Sequence, residues 1–203
     1  MSLTVVLVAG AVLVGGASML ALRTPSPAVP VPPLPTSTPS AAPRSSFPAA
    51  VDAALKELDL IRPARPKLAE DFTVARLGGG RFRLAEHRGK TLLINFWATW
   101  CPPCREEMPA MERLWQHHKN AGFMIVAISV DADPKVVAPY IEEHGYTFPV
   151  MLDPTMEVAN AYAVRGLPSS FVIDRDGGLV AVAIGPRAWD HRASHAMVDA
   201  LVR

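Results

Sequence analysis

Cys101 and Cys104 are the only two cysteines of the 203-residue chain, and they stand three positions apart. A structural disulfide stabilises chiefly by restricting the unfolded chain, an effect that grows with loop length, so a bridge across two residues is a poor staple. The pair is expected to be reactive or metal-binding. An apolar run, TLLINFWA at 91 to 98, leads into the cysteines, and apolar residues at helical spacing follow them. That order puts Cys101 at a helix N-cap and Cys104 one turn later on the same face. Free N–H groups and the positive end of the helix dipole then favour the Cys101 thiolate, making it the attacking sulfur and Cys104 the resolving one.

Zinc is the main rival. His117 follows Cys104 at a distance that superficially completes a Cys2His2 pattern. His117 and His118 are adjacent, however, and adjacent helical positions diverge by ~100° instead of sharing a face. The strand before, the helix after and an export-type segment at the N-terminus favour redox chemistry, with no metal and no cofactor expected. The two histidines read as solvated residues of the last helical turn. Pro102 and Pro103 suit a first turn sterically, but each lacks an N–H that could stabilise a thiolate. A less stabilised thiolate points to a reductant, since strong oxidants owe their potential to a stabilised reduced form.

Positioning such a pair takes a scaffold. Half the chain is apolar and the net charge is only +1, which suits one domain with a proper core and gives no basis for nucleic-acid binding. Residues 3 to 22 carry no charge. As a helix they would span ~30 Å, the thickness of the bilayer's hydrocarbon core, so residues 1–23 are expected to anchor the chain in the cell membrane. A cleaved export signal is the alternative, and the lone flanking Arg23 gives no orientation by charge. Residues 24–48 hold nine prolines and read as a stiff extended tether. Residues 49–67 read as a short amphipathic helix and a lead-in, and the folded domain is expected over 68–203.

Within that domain, 72–74 and 81–84 flank a triple-glycine turn as a hairpin, 91–98 and 123–130 are buried strands, and 148–152 is a further strand. Helices are expected after the cysteines and over 134–144, 156–163 and 193–202. Strands 169–173 and 179–184 form a second hairpin around DRDGG. The fold class is α/β, a mixed central sheet flanked by helices, with an N-terminal β-hairpin extension and an N-terminal membrane helix.

At NFWATWCPPCREEMPAM, 95 to 111, the chain resembles the TlpA/ResA family of membrane-anchored thioredoxin-like proteins. AEDF at 69 to 72, RGK at 88 to 90 and GLPSSFVIDRDG at 166 to 177 extend the likeness, and GPRAW at 185 to 189 is closest to the TlpA branch. The resemblance implies a thioredoxin-like fold and a cis Pro168 beside the disulfide, with Leu167 offering backbone groups to a substrate segment. Trp100 would cover the active surface with Pro102 and Pro103, while Trp97 is expected in the core. Asn95 stands where thioredoxin carries a buried acid, and an amide cannot shuttle a proton. Glu107, three residues beyond Cys104 and matching an acidic residue that ResA-like proteins use, is the candidate base; the bland alternative is a surface glutamate favoured by the helix dipole.

The resulting expectation is a disulfide reductase for exported apoproteins, in cytochrome c maturation or copper-site assembly, facing the periplasmic or other extracytoplasmic side. Its partners would be a client protein with a disulfide or CxxC and a membrane electron donor of DsbD/CcdA type. Two other functions stay open: a thiol peroxidase of the same superfamily, although no Pro-x-x-x-Thr-x-x-Cys precedes Cys101, and a copper(I)-binding module using both thiolates.

Overall fold

The computed structural model describes residues 48–203. The expected membrane span and the proline-rich tether, apart from Pro48, lie outside the described residues. Among the described residues no helix is long and apolar enough to cross a membrane.

The elements run α1 (Ala49–Glu57), β1 (Thr73–Arg76), β2 (Arg81–Arg83), β3 (Thr91–Trp97), α2 (Pro102–His118), β4 (Phe123–Ser129), α3 (Val137–His144), β5 (Val150–Leu152), α4 (Glu157–Ala161), β6 (Ser169–Ile173), β7 (Leu179–Ile184) and α5 (Arg192–Leu201). They form one seven-stranded sheet in the order β2-β1-β5-β4-β3-β6-β7. β3 is parallel to β4 and antiparallel to β6, and all seven of its residues are buried, which is why it reads as a mostly apolar run with no alternation. The fold is thioredoxin-like: a mixed sheet with flanking helices. β1 and β2 pair antiparallel across Gly78, Gly79 and Gly80, all at positive φ, where only glycine is unstrained.

The helix expected over 134–144 begins as a 3-10 turn, Pro134–Val136, capped by the Asp133 carboxylate accepting from the Lys135 N–H. The boundary expected at residue 68 is corrected by packing. α1 lies against α5, with Val51 and Ala54 fully buried and Leu58 and Leu60 in the same core. Ile61 and Leu68 make bridges to Val182 and Gly178, so the lead-in is sewn to β7. Leu58→Ala is therefore expected to cost about 2 kcal/mol, the lower end for a buried leucine, and to lower the melting temperature by roughly 4–8 °C. A melting temperature equal to wild type would return the boundary to residue 68.

His118 is a second correction. It is buried, where a solvated residue was expected, and its Nε2 lies 2.9 Å from His195 Nδ1 on α5. Residue 118 falls on the stripe of Met111 and Leu114, which faces the sheet, so its burial follows from the helical period. Burial lowers both imidazoles below the ordinary histidine range, so both are neutral near pH 7.

Candidate active site

β3 delivers the chain to a short loop, Ala98 to Trp100, and α2 starts from Cys101 as N-cap. Asp131, just beyond β4 and buried, fixes this loop: its carboxylate accepts from the Thr99 N–H at 3.0 Å and the Thr99 hydroxyl at 2.7 Å. Ser129 Oγ donates to the same carboxylate at 2.8 Å. Sequence reasoning missed Asp131; an acid directly after a buried strand was the available signal.

Cys101 and Cys104 are joined, with Sγ atoms 2.06 Å apart. Pro102 and Pro103 fill the first two helical positions and bring no N–H, so the first N–H of α2 is that of Cys104. It points at Cys101 Sγ, 3.4 Å away. A single backbone donor is thus available to a thiolate at this cap. In the joined state both cysteines are buried, Cys101 at 3% exposure and Cys104 at 0%. Trp100 beside them is 67% exposed, and Trp97 is fully buried. Pro109 sits on the exposed face of α2, where the carbonyl it leaves without a helical donor can turn to water.

The Leu167–Pro168 peptide is cis. Phe96 near the end of β3 is opposite Ser169 at the start of β6, so Leu167 and Pro168 emerge at the sheet end from which the chain enters the cysteine loop. Pro168 is buried and Leu167 half-buried.

Glu107 is not a surface residue: it is 3% exposed. Its Oε1 accepts from Asn95 Nδ2 at 2.7 Å. Its Oε2 accepts from the Arg187 N–H at 2.9 Å and from Trp189 Nε1 at 3.1 Å. Burial pushes its pKa up to about 7, and the three donors hold it from rising further. Asn95 Nδ2 also donates to Ser170 Oγ at 2.9 Å, while Asn95 Oδ1 has no partner among the described residues. A surface cavity of about 370 Å³ is lined by Glu106, Glu107, Ala110, Arg113 and residues of the 186–190 loop. A buried carboxyl near neutral pKa, one turn along α2 from the disulfide, can accept and return a proton at physiological pH. Trp189 and Arg187 stand some eighty residues away in sequence, and their part in holding Glu107 was not readable beforehand.

A disulfide at a helix N-cap and a cis proline at the same sheet end are joined by sequence similarity. Residues 67–182 match the AhpC/TSA family. The chain belongs to that family. It is 40% identical over 117 residues to the thiol-disulfide oxidoreductase ResA of Geobacillus kaustophilus (strain HTA426), covering 58% of this chain and 67% of the relative. The ResA of Bacillus subtilis (strain 168) is 38% identical over 117 residues, 58% of this chain and 65% of the relative. Among solved structures, a thiol:disulfide interchange protein of the thioredoxin family from Chlorobium tepidum TLS superposes with a TM-score of 0.60 at 35% identity, covering 70% of this chain and 99% of that one. This member of the AhpC/TSA family is a thiol-disulfide oxidoreductase of the ResA and thioredoxin type, and its disulfide is the Cys101–Cys104 pair.

Proposed function

We propose that the protein reduces disulfides in exported apoproteins, serving cytochrome c maturation or the assembly of copper sites. The observation that carries this reading is the helix cap: with both intervening residues proline, only one backbone N–H faces Cys101, so its thiolate is weakly stabilised, as suits a reductant. The Cys101 thiolate attacks a client disulfide, one client sulfur leaves, and a mixed disulfide forms. Glu107 takes the proton from Cys104, whose thiolate attacks Cys101 Sγ. The client leaves with two thiols and both electrons, and the Cys101–Cys104 disulfide remains. Because an oxidising compartment offers no reducing thiol pool, a membrane donor of DsbD/CcdA type returns the electrons. An uncleaved anchor over residues 3–22 and a tether to 48 would hold the domain on the extracytoplasmic side. Clients would lie across Trp100, Pro102 and Pro103 and pair with the backbone at Leu167 beside Pro168.

The test is covalent capture in the living cell. Cys104→Ser, made in the full chain, is expected to accumulate a mixed disulfide through Cys101, and mass spectrometry of the trapped species should identify exported proteins carrying paired cysteines. Cys101→Ser should trap none. Equal trapping by the two variants would overturn the assignment of attacking and resolving sulfurs, and capture of cytoplasmic proteins only would sink the proposed clientele.

A further inference from the structure

Three imidazoles meet at the end of α2 remote from the sulfurs. His117 and His118 close α2, and His195 lies on α5. A nitrogen can be chosen on each ring so that the three lie within 4.8 Å of one another. The ring centroids are 4.6, 4.9 and 5.1 Å apart, a near-equilateral triangle, so the rings surround a common point instead of stacking in a row. Adjacent histidines on one helix cannot enclose an ion by themselves; the third ring, brought by a different helix, closes the gap between their directions.

The finer geometry agrees. At metal–nitrogen bonds of ~2.0–2.1 Å, two ligands at right angles are ~2.9 Å apart and two tetrahedral ligands ~3.3 Å. His118 Nε2 and His195 Nδ1 stand at 2.9 Å, so an ion needs a displacement of no more than a few tenths of an ångström between them. The other nitrogen of His118, Nδ1, is 3.6 Å from Asp199 Oδ1, whose negative charge favours the tautomer with the proton on Nδ1 and the Nε2 lone pair facing the cluster. In the metal-free protein the His195 Nδ1 proton lies between His118 and His195, and when an ion enters His195 takes its other tautomer, with the proton on Nε2.

We infer that His117, His118 and His195 form a binding site for one divalent late first-row transition ion, of which Zn²⁺ and Cu²⁺ are the probes. Imidazole nitrogen suits these ions, and with His117 exposed the fourth position opens to water. The site is built without the thiols: His117 and His118 close the far end of α2, a seventeen-residue helix ~25 Å long that starts from Cys101.

Titration of the full chain in detergent, without an added histidine tag and in its disulfide form, tests this. A disulfide offers no thiolate, so cysteine binding is silent. Competition with a chromogenic chelator is expected to give one bound Zn²⁺, with affinity at least tenfold lower in His117→Ala and in His195→Gln and unchanged in His87→Ala. Cu²⁺-loaded protein should show nitrogen hyperfine splitting that both cluster variants diminish. His117 is exposed, so its replacement reports on binding without threatening the fold. Absence of a stoichiometric site, or equal affinity in His117→Ala and wild type, would overturn the inference while leaving the oxidoreductase reading as it stands.

Discussion

Glu107→Gln is expected to form the mixed disulfide with a client at the wild-type rate and to release the client about 10²-fold more slowly or worse, the usual loss for a missing general base. The shape of the side chain survives. Gln can keep one oxygen toward the Arg187 and Trp189 donors while its amide nitrogen faces Asn95, and Asn95 can rotate to present Oδ1, the oxygen that otherwise has no partner. In wild type, release should fall as pH drops through about 7, because a protonated Glu107 cannot accept from Cys104. The variant should lose that limb. Stability changes in a linked way. The folded carboxyl holds its proton up to about 7 and the unfolded one only to the ordinary 4.5, so its stabilising contribution is complete below the lower value and is lost as pH rises to the higher. Gln cannot lose a proton, so the melting temperature of the variant relative to wild type should climb between about pH 5 and 7. Rapid-quench measurement of client release across pH, with thermal melts on the same samples, checks both; a release rate that matches wild type would reduce Glu107 to a structural acceptor.

Trp189→Ala should cost about 3–5 kcal/mol, the range for emptying a buried aromatic site, and lower the melting temperature by roughly 6–20 °C. The indole is fully buried, and its N–H is one of three donors to Glu107. Removing it opens a cavity and takes a hydrogen bond from the ionised carboxylate, which moves the Glu107 pKa further up from about 7. Trp189→Phe separates the two consequences. It restores most of the volume but no donor, so the melting temperature should recover most of the way while the pH midpoint of release stays high. If the phenylalanine variant releases client with the wild-type midpoint, the indole N–H does not tune the base.

Much of the fold could be read from the chain because its signals are local. A nearly continuous apolar run marks β3, a strand buried on both faces, and the three-residue spacing of Met108, Met111 and Leu114 marks the inner face of α2. The cysteine pair was legible for the same reason, since its chemistry is set by the strand before it and the helix after it. Features made by distant partners were not. α1 reads as an appendage until α5, some 140 residues later, covers it. His118 follows the buried period of its helix, but a histidine there looks solvated until His195 arrives from α5. Glu107 sits in the second turn of α2, where a glutamate is ordinarily exposed, and the loop carrying Arg187 and Trp189 buries it.

That loop also ties the domain's opening segment to its chemistry. Arg187 Nε donates to the Leu58 carbonyl at 2.6 Å and its Nη2 to the Asp59 carbonyl at 2.9 Å, while its backbone N–H holds Glu107. Its remaining nitrogen reaches the Pro186 carbonyl at 2.9 Å, so one guanidinium clamps the exit of α1 onto the loop. Anyone trimming the protein to a soluble form for assay would be drawn to cut at the first family-matched residue, near 67. Such a cut would discard the carbonyls that hold Arg187 in place, and the shortened enzyme would carry a misplaced base along with a weaker core. The smallest faithful form begins before α1.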